Sequence, residues 1–445
     1  MSEQPTATYD CPRDRHLFGP GPKRILSFDG GGVRGAISVA FLERIEKMLD
    51  DYAGHEVRLG DWFDLIGGTS TGAIIAGALA LGHRAAYIKD IYFRLAPKVF
   101  RPSWRRIPKL QAKFDAGPLR AEIDRIVGKR TLASKDLITG LAIVAKRIDT
   151  GSPWILANNP KSEFWESTPG SLIIGNKDYL LSTLFRASTA APTYFDPEII
   201  PIAEDAPRDP LGQISASGRL PWWIQSPATK LRAFYGYFFP SKGPSGKTHG
   251  LFIDGGFTPY NNPVSFLLML VTLKQFGLCW TLGAENLTIV SIGTGSFRTK
   301  LSFGELGNPL TRQLTLVERA ILSCVNDGQN LTLAQMQWLG ECPMRWPVNS
   351  EIYGVEDNCP PGGPWFRFMR YDMGLDPTWL LEKLGRKVDQ AEAARLQAMD
   401  NHEVIQTLYD IGCRAAEMQV KPEHLFGKAP PAKPPRGAEG NLMNA

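Results

Sequence analysis

The chain has 445 residues, of which 43% are hydrophobic and 21% are charged. That composition is typical of a folded protein, and it excludes a fibre, a mostly disordered chain and a disulfide-stabilised mini-protein. Lys and Arg exceed Asp and Glu by five residues, an excess too small at this length to predict nucleic acid as a main partner.

The first 22 residues are predicted to form an irregular leader. They are polar and contain no apolar stretch of the kind that secretory signals carry. We therefore expect a cytoplasmic protein without a signal peptide or transmembrane helix, which meets membranes at most at their surface. The uncharged segment 65–82 is as long as the shortest membrane spans, but its many Gly, Thr and Ser residues predict a buried strand and helix instead.

Two strand–turn–helix units follow the leader. An apolar run at 25–28 ends in a glycine-rich turn at 29–32, and apolar residues then recur at helical spacing. The same order repeats with a predicted strand at 62–66, a turn at 67–72 and a helix at 73–81. Consecutive units of this kind form right-handed crossovers and predict a parallel sheet.

The later part of the chain changes character twice. Pro, Gly and aromatic residues mark a long insert at about 201–250, and the Pro-rich residues 426–445 predict a disordered tail. Asp400 and Glu403 have the spacing of a capping box at the start of a late helix. Further strands are predicted at 141–145, 155–156, 251–253 and 287–290.

The segment Gly68-Thr69-Ser70-Thr71-Gly72 fits the pattern G-x-S-x-G between a predicted strand and a predicted helix. A sharp turn there lifts the serine hydroxyl out of the sheet edge, and the flanking glycines let neighbouring backbone pass without Cβ clashes. The start of the following helix favours negative charge that develops nearby. Ser70 is therefore a candidate nucleophile, although an ordinary glycine-lined turn has the same composition.

The segment 30–35, GGGVRG, fits the pattern G-x-G-x-x-G and leaves two hypotheses open. One is a dinucleotide site, which requires an acidic residue about 20 positions further on, at the end of a second strand. Asp50 and Asp51 stand near that distance, but no apolar strand leads into them. The other is an anion-binding nest of backbone N–H groups, which suits a tetrahedral oxyanion.

A serine nucleophile needs a base, and an aspartate is the best candidate. None of the six histidines follows a predicted strand in the turn where a hydrolase triad would place it; His249 comes nearest, five residues before Asp254. Asp254 directly follows an apolar run, and Gly255 and Gly256 after it permit close approach to a second loop. The alternative is a carboxylate that merely caps its own turn.

Together these segments resemble the patatin-like phospholipase family. The glycine-rich segment 29–35, the turn 68–72 and the triplet 254–256 stand in that family's order, and residues 186–195 resemble its connecting segment. The resemblance covers roughly residues 22–300. It implies an α/β fold, a three-layer α/β/α sandwich with a central, mostly parallel sheet.

The resemblance divides the chain into four parts. Residues 1–22 are the leader, and residues 23–300 form the catalytic domain that contains the insert. Residues 301–425 are a helical elaboration packed on this domain, and the tail follows.

The resemblance also implies a role for each motif residue. Ser70 is the nucleophile and Asp254 the proton acceptor of a Ser–Asp dyad, with no metal ion or other cofactor. The amides of the glycine loop form an oxyanion hole, and Arg34 either orients that loop or meets a lipid phosphate. The oxyanion glycines are Gly30, Gly31 and Gly32, and the supporting motif residues are Asp29, Gly35, Gly68, Gly72, Gly255 and Gly256.

The main hypothesis is a lipid acyl hydrolase of the phospholipase A or lysophospholipase type, acting on phospholipid or other lipid esters. The basic and aromatic segment 101–113 and the aromatic cluster 222–239 are candidates for transient membrane contact, with a solvated loop and core packing as the respective alternatives. Three other hypotheses remain: a lipase regulated by a nucleotide, a catalytically silent scaffold and a nucleotide-binding module. The lipid head group, the acyl position and the oligomeric state stay open.

Overall fold

The computed structural model describes residues 9–101, 112–167, 174–203, 249–297, 312–348 and 354–426. Except for Phe426, which ends a helix, the predicted tail lies outside these ranges, and so does almost all of the predicted insert, including its aromatic cluster. So does most of the basic segment at 101–113.

Nine strands form one sheet in the described part of the chain. They are β1 (Lys23–Phe28), β2 (Leu65–Thr69), β3 (Gly140–Arg147), β4 (Pro153–Ala157), β5 (Glu198–Pro201), β6 (His249–Asp254), β7 (Leu287–Ile292), β8 (Gly340–Glu341) and β9 (Phe366–Tyr371). The order across the sheet is β5-β6-β3-β2-β1-β7-β9-β8, and β4 pairs with β3. Five neighbouring pairs are parallel and three are antiparallel, which confirms the predicted, mostly parallel α/β class.

Helices cover both faces of this sheet because strand side chains alternate between two cores. Leu26 and Phe28 of β1 enter the larger core, whereas Ile25 enters the smaller one on the opposite face. The helices are α1 (Pro12–Phe18), α2 (Gly35–Ala53), α3 (Leu59–Trp62), α4 (Thr71–Ala80), α5 (Ala85–Val99), α6 (Gly117–Val127), α7 (Leu181–Ser188), α8 (Val264–Thr272), α9 (Arg312–Leu339), α10 (Pro377–Leu384), α11 (Gln390–Gln397), α12 (Ile405–Gln419) and α13 (Pro422–Phe426). Side chains of α1, α8 and α9 line the smaller core, and those of α2, α4, α5, α7 and α12 line the larger one, which completes the three layers.

The sheet extends beyond the predicted domain boundary at residue 300. Strand β9 pairs in parallel with β7, and β8 pairs with β9, so part of the predicted helical region belongs to the central sheet. The sequence of β9, FRFMRY, did not predict a strand because two arginines interrupt its apolar pattern. One of them, Arg370, is buried in an ionic network that only the folded chain assembles.

Two predictions near the start of the chain were wrong. The leader is not wholly irregular, because Pro12–Phe18 forms α1 and buries Leu17 in the smaller core. The second strand begins three residues later than predicted and runs through the glycines, as β2. A Cβ at Gly67 would lie 2.5 Å from the side chain of Leu267, so this strand continues where a larger residue would clash with α8.

The predicted capping box is also wrong. The side chain of Asn401, not of Asp400, accepts the backbone N–H of Glu403, and Asp400 instead forms an ion pair with Lys113.

The uncharged segment 65–82 forms β2 and α4, as predicted. No helix in the described ranges is both long enough and apolar enough to cross a membrane.

Candidate active site

The ends of β2 and β6 meet beside β3. Thr69, the last residue of β2, pairs with Val144, and Asp254, the last residue of β6, pairs with the next residue, Ala145. Strand β4 pairs with residues 142–146 of β3, a range that includes both Val144 and Ala145. Because β4 occupies one edge of β3 along this range, β2 and β6 both lie on the other edge. Because β2 and β6 run in opposite directions along one edge, their carboxyl ends face each other.

Ser70 occupies a strained turn between β2 and α4. Its φ of 57° and ψ of −129° place a non-glycine residue in a region that costs roughly 1–3 kcal/mol. A Cβ at Gly68 would lie 2.2 Å from the carbonyl oxygen of Gly72, and one at Gly72 would lie 2.6 Å from that of Asp29. The two flanking glycines therefore let the turn fold back on itself and start α4 against the end of β1.

The Ser70 hydroxyl donates a hydrogen bond to the Asp254 carboxylate, with 2.5 Å between Oγ and Oδ2. Both residues are buried, with Ser70 7% and Asp254 3% exposed. The second carboxylate oxygen accepts the backbone N–H of Gly256 at 2.6 Å. A Cβ at Gly255 would lie 3.0 Å from the carbonyl oxygen of Val144, so a side chain after Asp254 would require neighbouring atoms to move by a few tenths of an ångström.

Burial raises the pKa of Asp254 from its usual value to about 7. Desolvation of the carboxylate is the main cause, because it penalises the charged form. The hydrogen bonds from Ser70 and Gly256 and the positive charge of Arg186 act in the opposite direction. Near neutral pH this carboxyl can therefore gain or lose a proton at a small cost in free energy.

Ser188, at the end of α7, holds the Ser70 turn in place and was not singled out in the sequence. Its Oγ accepts the Ser70 backbone N–H at 2.8 Å and donates to the carbonyl of Val144 at 2.6 Å. The hydroxyl thus bridges β3 and the turn at the point where β2 ends. A signal for it was present, since Ser188 lies in the 186–195 segment that resembles the family.

The glycine loop lies beside Ser70, but its first amide is already engaged. The Gly30 N–H donates to the carbonyl of Asn261 at 3.1 Å, so the prediction that it serves an oxyanion is wrong for this structure. The amides of Gly31 and Gly32 have no acceptor among the described residues. A Cβ at Gly30 would lie 3.0 Å from the Cβ of Ser70, which places the loop directly against the serine.

Two charged residues of the glycine-loop motif are internal. Asp29 forms an ion pair with Arg370 of β9, whose two terminal nitrogens lie 3.0 and 2.6 Å from the two carboxylate oxygens. The guanidinium of Arg34 donates to the carbonyl of Gly295 at 3.2 Å and lies 5.2 Å from the ring centre of Phe297. These contacts favour the orienting role for Arg34 over contact with a lipid phosphate.

Two further residues were named from the sequence: Gly35 lies where α2 packs against α5, and His249 lies at the far end of β6 from Asp254. A Cβ at Gly35 would lie 2.0 Å from the hydroxyl of Tyr92, so this glycine permits α2 and α5 to touch. His249 begins β6 and pairs with Pro201, at the opposite end of the strand from Asp254. It is therefore not in a position to serve Ser70 as a base.

A model for the family described as "Patatin-like phospholipase" matches residues 26–268, more than half of the chain. The chain belongs to the patatin-like phospholipase family. The matched range contains the glycine loop, Ser70 and Asp254, and it ends before β7 and β9.

The chain matches curated relatives over only part of their length. The "cGAMP-activated phospholipase" of Escherichia coli (strain TW11681) is 34% identical over 179 residues, which cover 39% of this chain and 48% of that protein. "Patatin-like protein 1" of Arabidopsis thaliana is 28% identical over 294 residues, covering 61% of this chain and 58% of that protein. The chain thus spans about half the length of the curated relatives it matches. A solved structure, "Human GIVD cytosolic phospholipase A2", is 12% identical with a TM-score of 0.40, covering 92% of this chain and 61% of that one.

The hypothesis that the glycine loop at 30–35 binds a dinucleotide is not favoured in this patatin-like chain. A pyrophosphate needs open space in front of the glycine loop. Here that space holds Ser70 and Asn261, whose side-chain oxygen would lie 2.6 Å from a Cβ on Gly30. The loop faces the serine rather than an empty nucleotide cleft.

Proposed function

We propose that this protein is a lipid acyl hydrolase in which Ser70 is the nucleophile and Asp254 is the base. The observation that carries the proposal is the buried hydrogen bond of 2.5 Å between the serine hydroxyl and a carboxylate whose pKa is raised to about 7. A base within hydrogen-bond reach, with a pKa near the working pH, meets both requirements of general base catalysis.

Acylation begins when Asp254 takes the proton of the Ser70 hydroxyl as its oxygen attacks the ester carbonyl. The negative charge that develops on the carbonyl oxygen is stabilised by the amides of Gly31 and Gly32, which have no acceptor of their own in the described structure. The tetrahedral intermediate then collapses. The alcohol or lysolipid leaves with the proton returned from Asp254, and an ester links the acyl group to Ser70.

Deacylation repeats these steps with water as the nucleophile. Asp254 takes a proton from water, hydroxide adds to the acyl-serine carbonyl, and Ser70 leaves with the proton as the fatty acid forms. One carboxylate serves as base and then as acid in each half of the reaction, so no histidine is required. A phospholipid or another lipid ester is the substrate that family membership supports, and access to such a substrate involves transient contact with a membrane surface.

The pH dependence is expected to follow Asp254. Because only its ionised form accepts the serine proton, kcat/KM should fall about tenfold per pH unit below pH 7 and level off above it. The measurement is the initial rate of p-nitrophenyl ester hydrolysis between about pH 5 and 9. Circular dichroism over the same range checks that the protein stays folded. A rate independent of pH across this range would contradict the assignment of Asp254 as the base.

Product analysis tests the proposed activity. Mixed phospholipid vesicles with zwitterionic and anionic head groups are incubated with the protein, and lipids are measured by mass spectrometry before and after. We expect release of fatty acid and lysolipid, and loss of that release after treatment with an alkyl fluorophosphonate, which phosphonylates active serines. Peptide mapping should place the adduct on Ser70.

Two outcomes would overturn this proposal. Hydrolysis that persists while Ser70 carries the adduct would assign the chemistry to another residue. No turnover of any phospholipid or p-nitrophenyl ester, with or without an activator, would favour a catalytically silent scaffold.

We also propose that cGAMP activates this hydrolase. The support is the 34% identity to relatives named "cGAMP-activated phospholipase" from Escherichia coli and Vibrio cholerae. The vesicle assay with and without cGAMP tests the idea, and faster release in its presence is expected. An unchanged rate of release would contradict activation and leave the hydrolase proposal standing.

A further inference from the structure

Thr294 follows β7 and lies against the glycine loop. Residues 291 and 292 of β7 pair with residues 27 and 28 of β1, and the Asp29 N–H continues the ladder by donating to the carbonyl of Ile292 at 3.1 Å. The two chain segments therefore leave the sheet side by side. Thr294 is 4% exposed and lies outside the range that the family model matches.

The Thr294 hydroxyl donates to the carbonyl oxygen of Gly30 at 2.9 Å. The side chain of Asn261 makes a longer contact of 3.4 Å with the same oxygen. In a trans peptide the carbonyl and the next N–H point in opposite directions. Holding the Gly30 carbonyl toward Thr294 therefore directs the Gly31 N–H away from Thr294.

Thr294 also fills the space in which a side chain at position 31 would stand. A Cβ on Gly31 would lie 2.3 Å from Oγ1 of Thr294 and 2.8 Å from its methyl carbon. The two glycines give the peptide between them unusual rotational freedom, since neither has a Cβ. One buried hydroxyl thus packs against this peptide and hydrogen-bonds to it.

Thr294 is itself held rigidly from both sides. The N–H of Gly293 donates to the carbonyl of Tyr371 at 2.8 Å, and the Ser38 hydroxyl donates to the carbonyl of Gly293 at 2.8 Å. The N–H of Gly295 donates to the carboxylate of Asp372 at 2.9 Å. These hydrogen bonds of Gly293 and Gly295 fix the backbone on both sides of Thr294, and with it the position of the hydroxyl against the glycine loop.

We propose that Thr294 is a positioning residue that fixes the Gly30–Gly31 peptide so that the Gly31 N–H faces the developing oxyanion. This inference rests on the proposed function, because it assigns the amide that Thr294 orients to the ester reaction of Ser70. Thr294 acts through the peptide and does not itself touch the reacting atoms.

The test compares Thr294→Val, which keeps the shape and loses the hydroxyl, with Thr294→Ser, which keeps the hydroxyl. In Thr294→Val we expect kcat on a p-nitrophenyl ester to fall by about 10²-fold, the order of magnitude seen when one oxyanion donor is lost. KM should stay nearly constant, because ground-state binding does not use the oxyanion donor. Thr294→Ser should recover most of the loss.

A crystal structure of Thr294→Val supplies the second readout, and a rotated Gly30–Gly31 peptide is expected. If that variant does not fold, Thr294→Ala is compared with Thr294→Ser in the same way. Wild-type kinetics in Thr294→Val would overturn the inference while the hydrolase proposal stands. The inference would also be overturned by an equal loss of kcat in Thr294→Val and Thr294→Ser, or by a crystal structure of Thr294→Val in which the Gly30–Gly31 peptide has not rotated. A wild-type protein that hydrolyses no ester would overturn the proposed function, and the inference with it.

Discussion

Replacing Asp254 by Asn is expected to lower kcat by about 10⁴-fold or more, the range seen when the base or nucleophile of a serine hydrolase is removed. The amide keeps the size of the carboxyl group, and its oxygen can accept the Gly256 N–H while its NH2 group donates to the Ser70 oxygen, but it cannot take the serine proton. The Ser70→Ala variant should lose activity to a similar extent, and the double variant should be no worse than either single one, because the two groups act as a unit.

Stability separates loss of chemistry from loss of fold in this experiment. Burial disfavours the charged form of Asp254 and raises its pKa to about 7, so at pH 8 the ionised carboxylate opposes folding. Replacing it with a neutral amide should therefore leave the free energy of unfolding unchanged or increase it. Asp124→Asn, at an exposed site on α6, is the matched control and should keep wild-type kcat.

Two results would contradict the assignment of the dyad. A kcat for Asp254→Asn within about tenfold of the wild type would show that another group accepts the serine proton. A strong loss of stability in that variant would show that the carboxylate supports the fold rather than the chemistry.

Replacing Arg370 by Met is expected to lower the free energy of unfolding by about 3–5 kcal/mol, the cost of leaving buried charges without their partner. Its guanidinium pairs with both oxygens of Asp29, lies 2.8 Å from a carboxylate oxygen of Asp372 and donates to the Ser291 hydroxyl at 2.8 Å. Arg370 and Asp29 are each 4% exposed at the side chain, so water does not replace the lost contacts. Urea denaturation followed by circular dichroism measures the change.

The matched control is Arg395→Met. Arg395 pairs with Glu403 at 3.2 Å, and both side chains are more than half exposed, so its loss should cost less than about 1 kcal/mol. Asp29 begins the glycine loop, and Arg370→Met should therefore also reduce activity at temperatures where the variant is still folded. A loss of stability no greater than that of the control would show that the network is not structurally important.

The local parts of the site could be predicted from the sequence because they depend on short-range chemistry. Ser70 between two glycines needs only a strand, a tight turn and a helix, and each has its own local pattern. The same is true of Asp254, which follows an apolar run and precedes two glycines. The parallel sheet followed from the repetition of such units, and family membership followed from the order of the motifs.

The pairings across the fold could not be predicted in this way. Strand β9 was missed because Arg370 interrupts its apolar pattern, and the reason for a buried arginine lies 341 residues away at Asp29. Ser188 lies in a segment that resembles the family, but its bridging role could not be predicted locally, since its partners are the Ser70 amide and the Val144 carbonyl. The hydrogen bond donated by the Gly30 amide likewise could not be predicted, because its acceptor is the carbonyl of Asn261, far away in the sequence.

Local sequence patterns were enough to predict the groups proposed for the chemistry: one serine hydroxyl, one carboxyl and a run of unsubstituted amides. How these groups come together depends on strand pairing between distant parts of the chain. The antiparallel entry of β6 on the edge of β3 where β2 ends brings Ser70 and Asp254 to a hydrogen bond of 2.5 Å. The physical reason is that hydrogen-bond register, burial and the orientation of a peptide are properties of pairs of distant segments, which no single stretch of sequence contains.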